Sequence, residues 1–212
     1  MTSESVDTRE ALLHAAGELF AEYGFEGAST RAIARRANTN LASIAYHFSG
    51  KENLYLATLH RVLEGQCTWG PMLELAREMT AEGMPVAAAL RTTLRQRLEE
   101  MVSGKHPVWE TKLLIRALLE PSPATKALIR ENFRPQIAQV IAVARTWNPD
   151  LTEAQAKRWA NALFGQEVIY VLAHTVILDM EDWEAYPSDY LDEVAGYIAR
   201  LMSAALWPEK FE

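Results

Sequence analysis

The chain has 212 residues, of which 49% are apolar and 23% are charged, and its formal net charge at pH 7 is −7. A disordered chain would be poorer in apolar residues, so this composition predicts a folded protein with one large domain or a small domain joined to a medium one. The negative charge argues against a protein that nucleic acid surrounds, although a local basic patch can still bind nucleic acid.

The chain contains one cysteine, Cys67, which excludes an intramolecular disulfide and a metal cage built from thiolates. A lone thiol is typical of a reducing compartment. The first five residues lack the basic and apolar regions of a signal peptide, and the most apolar stretch, residues 168–178, is too short to span a bilayer. We therefore expect a cytoplasmic protein without a membrane segment, a metal site or a cofactor.

Apolar residues recur with a spacing near 3.6 along most of the chain, which predicts helices and no strands. Four N-terminal helices are indicated by capping and stop residues: Asp7 with Glu10 to Gly24, a helix from Ser29 or Thr30, Leu41 to Phe48, and a long helix opened by a capping box at Ser49–Glu52. Gly70–Pro71 marks a boundary. Longer helices follow at about 85–102, 107–119, 124–146 with an expected kink at Pro135, 152–178 capped by Thr152 and Gln155, and 189–206.

Residues 27–51 form a basic segment in an acidic chain. They contain Arg31, Arg35, Arg36 and Lys51 and no acidic residue, which gives a local charge of +4 and leaves −11 for the rest. A protein that meets phosphates with one face needs this asymmetry. Asn38 lies between the two short helices, where its side chain tolerates a left-handed turn. We expect Ile33 and Ala37 to meet Ile44 and Phe48 across that turn.

The segments Ser29–Asn40 and Ser43–Leu54 resemble the DNA-binding region of TetR-family repressors. The resemblance covers about residues 8–60 and is carried most specifically by Tyr46, His47, Phe48 and Lys51 at their distance from Thr30. Asn38 replaces the usual turn glycine, and Ala45 stands where a tyrosine is common. Residues 48–57 and 163–167 also resemble the CecR-like branch.

The resemblance implies an all-α fold with two domains. Residues 1–50 would form a three-helix DNA-binding domain of the helix-turn-helix type, and residues 51–212 a larger helical domain for ligand binding and dimerisation. The third helix would enter the major groove. The function expected is that of a ligand-responsive regulator, a repressor that a small molecule releases from a palindromic operator, although activation stays open.

The implied DNA contacts divide into base-reading and phosphate-binding residues. Asn40, Leu41, Ala42 and Ser43 begin the reading helix; Asn40 would bond a base edge, and Leu41 and Ala42 would cover a thymine methyl. Phosphates would be bound by Thr30, Tyr46, His47 and Lys51, and Arg31 suits either role. Alternatives remain: Leu41 as core beneath the first helix, His47 as a local hydrogen-bonding group, and Arg35 and Arg36 as solvated side chains.

The last two helices carry wide apolar stripes, which suit burial against both their own core and a second protomer. The resemblance implies that they form the interface of a homodimer, through Trp159, Leu163, Gln166, Tyr170, Tyr190, Val194, Tyr197 and Leu201. By family position, an effector of unknown identity would lie near Trp69, Trp109, Leu113, Arg116, Phe164, Glu167 and His174. Ordinary core packing is the alternative for each of these residues, and Arg116 and Glu167 would then pair with each other.

Two other function classes fit the sequence less well. An enzyme is disfavoured because the chain lacks a Gly-x-Ser-x-Gly elbow, a phosphate-binding glycine loop and a His-Glu-x-x-His motif. No histidine follows a glutamate by three residues, which excludes the Glu-x-x-His pair of di-iron bundles. A helical adaptor that binds only protein would have no need for the acid-free segment 27–51.

Overall fold

The computed structural model describes residues 3–66, 69–103 and 106–207, and Cys67 lies outside these residues. Every regular element in the described parts of the chain is an α-helix, which confirms the predicted all-α class. The helices are α1 (Ser3–Gly27), α2 (Thr30–Arg36), α3 (Leu41–Phe48), α4 (Lys51–Gln66), α5 (Trp69–Ala81), α6 (Val86–Val102), α7 (Val108–Leu119), α8 (Pro123–Trp147), α9 (Glu153–Leu172), α10 (His174–Met180) and α11 (Ser188–Ala204).

Of the predicted capping boxes, one is present at its helix end and two are not. The capping box of α9 is present, because Gln155 N–H donates to Thr152 Oγ1 at 3.2 Å and Thr152 N–H donates to Gln155 Oε1 at 2.9 Å. The predicted box at Asp7 is wrong, because α1 already begins at Ser3. The box at Ser49 is also wrong: Ser49 has a left-handed φ of 60° and ends α3 rather than opening α4.

Two further differences concern proline and helix length. Helix α5 was not expected, because Gly70–Pro71 reads as a break; in the structure Pro71 lies in the first turn, where a missing N–H costs little. Helix α8 continues through Pro135. The predicted helix 152–178 is two helices, α9 and α10, which meet at an angle of 65°. No single helix among the described residues combines the length and hydropathy needed to cross a membrane; only this bent pair reaches them, and only jointly.

The described residues form two compact units, which we call the first unit (residues 3–66 and 106–132) and the second unit (residues 69–103 and 133–207). In the first unit, α1 packs against α2, α3, α4 and α7. Its core includes Leu12, Phe20, Ile33 and Leu59, all without solvent exposure. The domain boundary at residue 50 stays a prediction, because α4, α7 and the start of α8 pack in the same unit as the three N-terminal helices.

The second unit has its own core, in which α6 packs along α11 and α9 covers both. Two side chains tie the end of α11 to this core through backbone carbonyls. The indole Nε1–H of Trp159 donates to Met202 O at 2.7 Å, and Asn148 Nδ2 donates to Leu206 O at 2.7 Å. These bonds satisfy buried donors and the carbonyls that a helix C-terminus leaves open.

Helix α1 depends on two glycines for its contacts with α7. At Gly24 (φ 72°, ψ 177°) the helical geometry is interrupted, in a region of backbone space that glycine tolerates best. At Gly17 the six-membered ring of Trp109 lies so close that a Cβ atom would overlap it. The α1–α7 interface therefore requires a residue without a side chain at position 17.

Gly17→Ala is expected to lower the free energy of unfolding. Overpacking against Trp109 costs about 1–3 kcal/mol, which outweighs a gain in helix propensity of about 1 kcal/mol. Gly65→Ala in α4 is the matched control, because its Cβ would meet only His106 at an ordinary 3.7 Å. Urea denaturation of both variants checks this, and a Gly17→Ala protein as stable as the Gly65→Ala protein would contradict it.

Candidate functional site

Helix α2 and the turn after it are fixed by local hydrogen bonds. Ser29 caps the helix by accepting a hydrogen bond from Ala32 N–H at 3.1 Å. At the other end Thr39 N–H donates to Ala34 O at 2.9 Å and Asn38 N–H donates to Arg35 O at 3.2 Å, the pattern of a Schellman motif. Asn38 has the left-handed φ of 51° that the sequence predicted.

Asn40 caps α3 with its side-chain oxygen. Oδ1 accepts hydrogen bonds from Ser43 N–H at 2.9 Å and from Ser43 Oγ–H at 3.2 Å, and Thr39 Oγ1 lies 2.9 Å from Ser43 Oγ. With Oδ1 engaged, Asn40 has its amide nitrogen to offer to another molecule. A bidentate bond to adenine needs both amide atoms, so the intact cap is compatible with one donated bond to a base acceptor, such as guanine O6 or thymine O4.

Helix α3 has one buried face and one exposed face. Ile44 and Phe48 are buried against the rest of the first unit, and the guanidinium of Arg9 lies 5.4 Å from the centre of the Phe48 ring. Leu41 is 46% exposed, so the alternative that it packs as core beneath α1 is wrong. Ala42 and Tyr46 are also exposed. The exposed face thus presents small and apolar side chains at its beginning and a phenol one turn later.

The four cations of the basic segment differ in their surroundings. Arg31 and Arg35 are exposed and line an open groove beside Asn40 and Leu41. Arg36 pairs with Glu18 of α1 at 2.8 Å, which joins α2 to α1. Lys51 Nζ donates to Glu26 O at 3.4 Å and lies 4.6 Å from the centre of the Phe25 ring. The unpaired positive charge of α2 is therefore next to the start of α3.

Three of the predicted phosphate-binding residues lie on α2 and α3. Thr30 is the first residue of α2 and Tyr46 and His47 follow each other on α3. The rings of Tyr46 and His47 meet edge to face with their centres 4.9 Å apart. His47 is half-buried and Thr30 is half-buried, whereas Tyr46 is among the most exposed large side chains of the described residues.

The predicted effector residues are divided between the two units. Trp109, Leu113 and Arg116 lie on α7 in the first unit, whereas Trp69, Phe164, Glu167 and His174 lie in the second. Leu113 is fully buried. Arg116 donates from its guanidinium to Glu22 O at 3.4 Å, close to the interruption of α1 at Gly24. The alternative that Arg116 pairs with Glu167 is wrong, because Glu167 pairs with a different arginine.

That arginine is Arg97, which the sequence analysis missed. Its Nε–H donates to Glu167 Oε2 at 2.7 Å, and its guanidinium carbon lies 4.3 Å from the centre of the Trp69 ring. Both members of the pair are buried. The sequence could have indicated a buried pair through one feature: Arg97 lies on the apolar face of α6, beside Leu94 and Leu98. A charged residue at such a position needs a buried partner.

The Glu167 carboxyl is incompletely satisfied. Its Oε1 has no hydrogen-bond partner among the described residues. Burial raises the pKa of Glu167 to about 7, because the loss of hydration outweighs the attraction and the hydrogen bond of Arg97. Phe164 contacts Trp69 with ring centres 5.4 Å apart, so two predicted effector residues lie beside the pair that contains a third, Glu167, while His174 instead contacts Tyr186.

The predicted dimer residues divide into a buried and an exposed group. Trp159, Leu163 and Val194 are buried in the core of their own unit, which makes them unable to face a partner. Tyr170 and Tyr190 are half-buried and in edge contact with each other at 6.5 Å. Gln166, Tyr197 and Leu201 are exposed. Further exposed apolar side chains lie on α9 and α10: Ile169, Leu172, Val176 and Met180.

Two short helices joined by a tight turn, with the outer face of the second exposed beside unpaired cations, define a helix-turn-helix protein. The family described as "Bacterial regulatory proteins, tetR family" matches residues 12–58. The C-terminal domain of the "HTH-type transcriptional dual regulator CecR" matches residues 86–206, more than half of the chain. The chain therefore belongs to the TetR family of transcriptional regulators and carries a C-terminal domain of the CecR type.

Individual relatives agree with this assignment. The dual regulator CecR of Shigella flexneri is 27% identical over 195 residues, which cover 89% of this chain and 86% of that protein. The repressor AcnR of Corynebacterium diphtheriae is 30% identical over 118 residues, or 55% of this chain and 52% of AcnR. The multidrug binding protein EbrR, crystallised with malachite green, shares the fold with a TM-score of 0.58 and 21% identity, covering 90% of this chain and 96% of EbrR. The chain is thus a helix-turn-helix transcriptional regulator and not an enzyme.

Glu167→Gln is expected to remove a pH dependence of stability. The folded pKa of about 7 lies above the ordinary value of 4.5, so the folded chain keeps a proton that the unfolded chain releases as the pH rises. The wild type should therefore lose stability relative to Glu167→Gln as the pH rises from 4.5 to 7, by up to about 3 kcal/mol, and no further above pH 8. Denaturant unfolding across this range measures the difference. A wild type that gains relative stability with rising pH would show that Arg97 lowers the pKa of Glu167 instead.

Proposed function

We propose that the chain is a homodimeric repressor that binds a palindromic operator with α3 in the major groove and leaves it when a small molecule binds. The observation that carries the proposal is the two-sided character of α3. Its inner face is anchored by Ile44 and Phe48, and its outer face presents Leu41 and Ala42 directly after Asn40. Side chains of this size leave room for the helix to approach base edges closely.

The proposed roles follow from position and chemistry. Asn40 donates one hydrogen bond to a base, Leu41 and Ala42 contact thymine methyl groups, and Ser43 holds Asn40 through the cap. Phosphate contacts fall to Tyr46 and His47 on α3, to Thr30 at the start of α2 and to Lys51 at the start of α4. Arg31 lies close enough to the start of α3 for either role. Phosphate contacts position the protein on DNA but do not read the base sequence.

The exposed apolar stripe of the second unit supports dimerisation. Ile169, Val176 and Met180 follow one another along α9 and α10, and Tyr197 and Leu201 lie on the outer face of α11. A second copy covers such a stripe through an isologous contact. The two copies of α3 would then lie about 34–36 Å apart, the separation of successive major grooves on one side of DNA. The interface proposed here consists of Gln166, Tyr170, Tyr190, Tyr197 and Leu201 with these neighbours, and it omits the buried Trp159, Leu163 and Val194.

Release by a ligand requires a connection from the effector residues to α3. Only Ser49 and Gly50 separate α3 from α4. Ser49 N–H donates to Ala45 O at 2.9 Å and Leu54 N–H donates to Gly50 O at 3.1 Å, so each of these two residues is hydrogen-bonded to the neighbouring helix. A tilt of α4 therefore moves α3. A ligand shifts such an equilibrium only by its differential affinity for the two arrangements, typically about 1–3 kcal/mol. The structural relative EbrR, which binds malachite green, makes a small-molecule effector a reasonable expectation.

Selection of bound sequences from a pool of random duplex DNA tests the proposal. The purified chain should enrich an inverted repeat whose half-sites lie about one helical turn apart. Enrichment of a single half-site would remove the dimeric mode, and no enrichment over the starting pool would remove sequence-specific binding. The selected duplex then allows a small-molecule screen for release, in which quenching of the six tryptophans reports binding.

Asn40→Ser should separate capping from base reading. Serine caps a helix about as well as asparagine but lacks the amide donor, so this variant should fold with normal stability and lose base preference at one position of each half-site. Asn40→Ala is the matched control and should also lose about 1 kcal/mol of stability. Thermal unfolding and a repeat of the selection give both quantities. An unchanged preference profile for Asn40→Ser would mean that the Asn40 amide reads no base.

Leu201→Glu should weaken the dimer. The isologous contact would place two carboxylates in an apolar interface, which should raise the dissociation constant by at least about tenfold. Leu118→Glu in α7 is the control, because Leu118 and Leu201 are both 43% exposed and lie in different units. Sedimentation equilibrium measures the dissociation constants. Equal dimerisation of the two variants would exclude the outer face of α11 from the interface.

A further inference from the structure

A groove runs between α1 and α7 within the first unit and has a volume of about 830 Å³. Its inner part is formed by Trp109, Ile115 and Arg116, which are half-buried. Its outer part carries two strongly exposed apolar side chains, Val108 at 70% and Leu119 at 76%. Trp109 and Arg116 belong to the predicted effector residues, but the function proposed above gives this groove no ligand and gives Val108 and Leu119 no role.

Residues that line the groove carry hydrogen-bond donors with few or no acceptors. Trp109 Nε1 is buried and has no hydrogen-bond partner among the described residues, an arrangement that costs about 1–3 kcal/mol. Arg116 makes one long bond to a backbone carbonyl, and neither Arg116 nor Lys112, one turn earlier on α7, forms an ion pair within the described parts of the chain. A guanidinium has five N–H donors, so most of the donor capacity of Arg116 remains.

The acidic residues of the groove do not supply the missing acceptors. Glu18 is bound to Arg36 at 2.8 Å. Glu22 and Glu120 are exposed at the rim, where water screens their charges and reduces their effect on a group bound deeper in the groove. The half-buried part of the site therefore offers donors and a positive charge, whereas the rim offers apolar surface.

We propose that the α1–α7 groove binds a small amphipathic carboxylate. Its oxygens accept hydrogen bonds from Arg116 and, once the ring of Trp109 turns, from the indole N–H, while its apolar part covers Val108 and Leu119. The pairing of guanidinium with carboxylate is favoured because two parallel charge-assisted hydrogen bonds form. The claim that such a carboxylate is the effector rests on the proposed function. The claim that the groove binds a carboxylate does not depend on that function.

Occupation of the groove has a direct route to the DNA-reading helices. The ring of Trp109 lies against Gly17, and the next residue of α1, Glu18, holds Arg36 of α2. Arg36 itself lines the groove. A carboxylate that turns Trp109 therefore disturbs α1 beside its ion pair with α2. This route runs through α1 and differs from a tilt of α4.

The test uses octanoate on the full-length protein containing 5-fluorotryptophan, with octylamine and octanol as ligands of equal chain length. The ¹⁹F resonance of Trp109, assigned by its loss in Trp109→Phe, should shift with octanoate and not with octylamine. Arg116→Gln should raise the dissociation constant of octanoate about tenfold, as expected for the loss of a charged hydrogen bond. Glu120→Gln is the control at the rim and should leave that constant within about twofold.

Several results would overturn the groove assignment. These are equal or tighter binding of octylamine, octanoate shifts confined to other tryptophans, and an unchanged octanoate affinity in Arg116→Gln. The two proposals fail separately. If the protein does not bind duplex DNA, the proposed repressor function is wrong, and the fluorine signal still decides whether the groove binds octanoate. If the Trp109 resonance does not respond to octanoate, the groove assignment is wrong and the repressor function is unaffected.

Discussion

The orientation of the two short helices α2 and α3 depends on the burial of Ile33, Ile44 and Phe48 against α1. Helices of seven and eight residues are marginal in isolation, so their position must come from tertiary contacts. Each large apolar side chain contributes about 1.5–3 kcal/mol on burial. The Schellman turn at Asn38 and the cap at Asn40 determine where α2 ends and where α3 begins. They therefore restrict the orientations in which the two helices can pack on α1. The exposed face of α3 is a consequence of these constraints.

Helix α1 is therefore the element from which α2 and α3 take their position, and α7 packs on it in the same unit. The contact is specific: Trp109 lies on Gly17, Arg116 reaches a carbonyl next to the interruption at Gly24, and Glu18 pairs with Arg36. In the second unit the corresponding specific feature is the pair of Arg97 and Glu167. A buried ion pair contributes little net stability, but removing one partner is costly, so such a pair constrains how α6 and α9 meet.

Helices α2 and α3 and the turn between them were predictable from the sequence because their signals are local. Ser29 predicted the start of α2 and Asn38 the turn after it, and both act within five residues of themselves. Helix α3 was predicted with its bounds, whereas the cap that Asn40 provides was not. The pair of Arg97 and Glu167 joins residues 70 positions apart, and no local pattern identifies such a partner. The residues expected at the dimer interface could not be separated from core residues for a related reason. Helices α9 and α11 are apolar on adjacent faces, and periodicity does not show which face packs against the protomer's own α6. Helix α5 was missed because Gly70–Pro71 is equally compatible with a break and with a first turn.

The affinity of the purified chain for duplex DNA as a function of salt concentration tests the central claim most directly. If α3 and the cations around it dock on DNA twice per dimer, the logarithm of the association constant should fall linearly with the logarithm of salt concentration, by about 0.9 for each phosphate neutralised. A slope of several units is the predicted result. Absence of measurable affinity for any duplex at low ionic strength, or an affinity that salt does not change, would contradict the account.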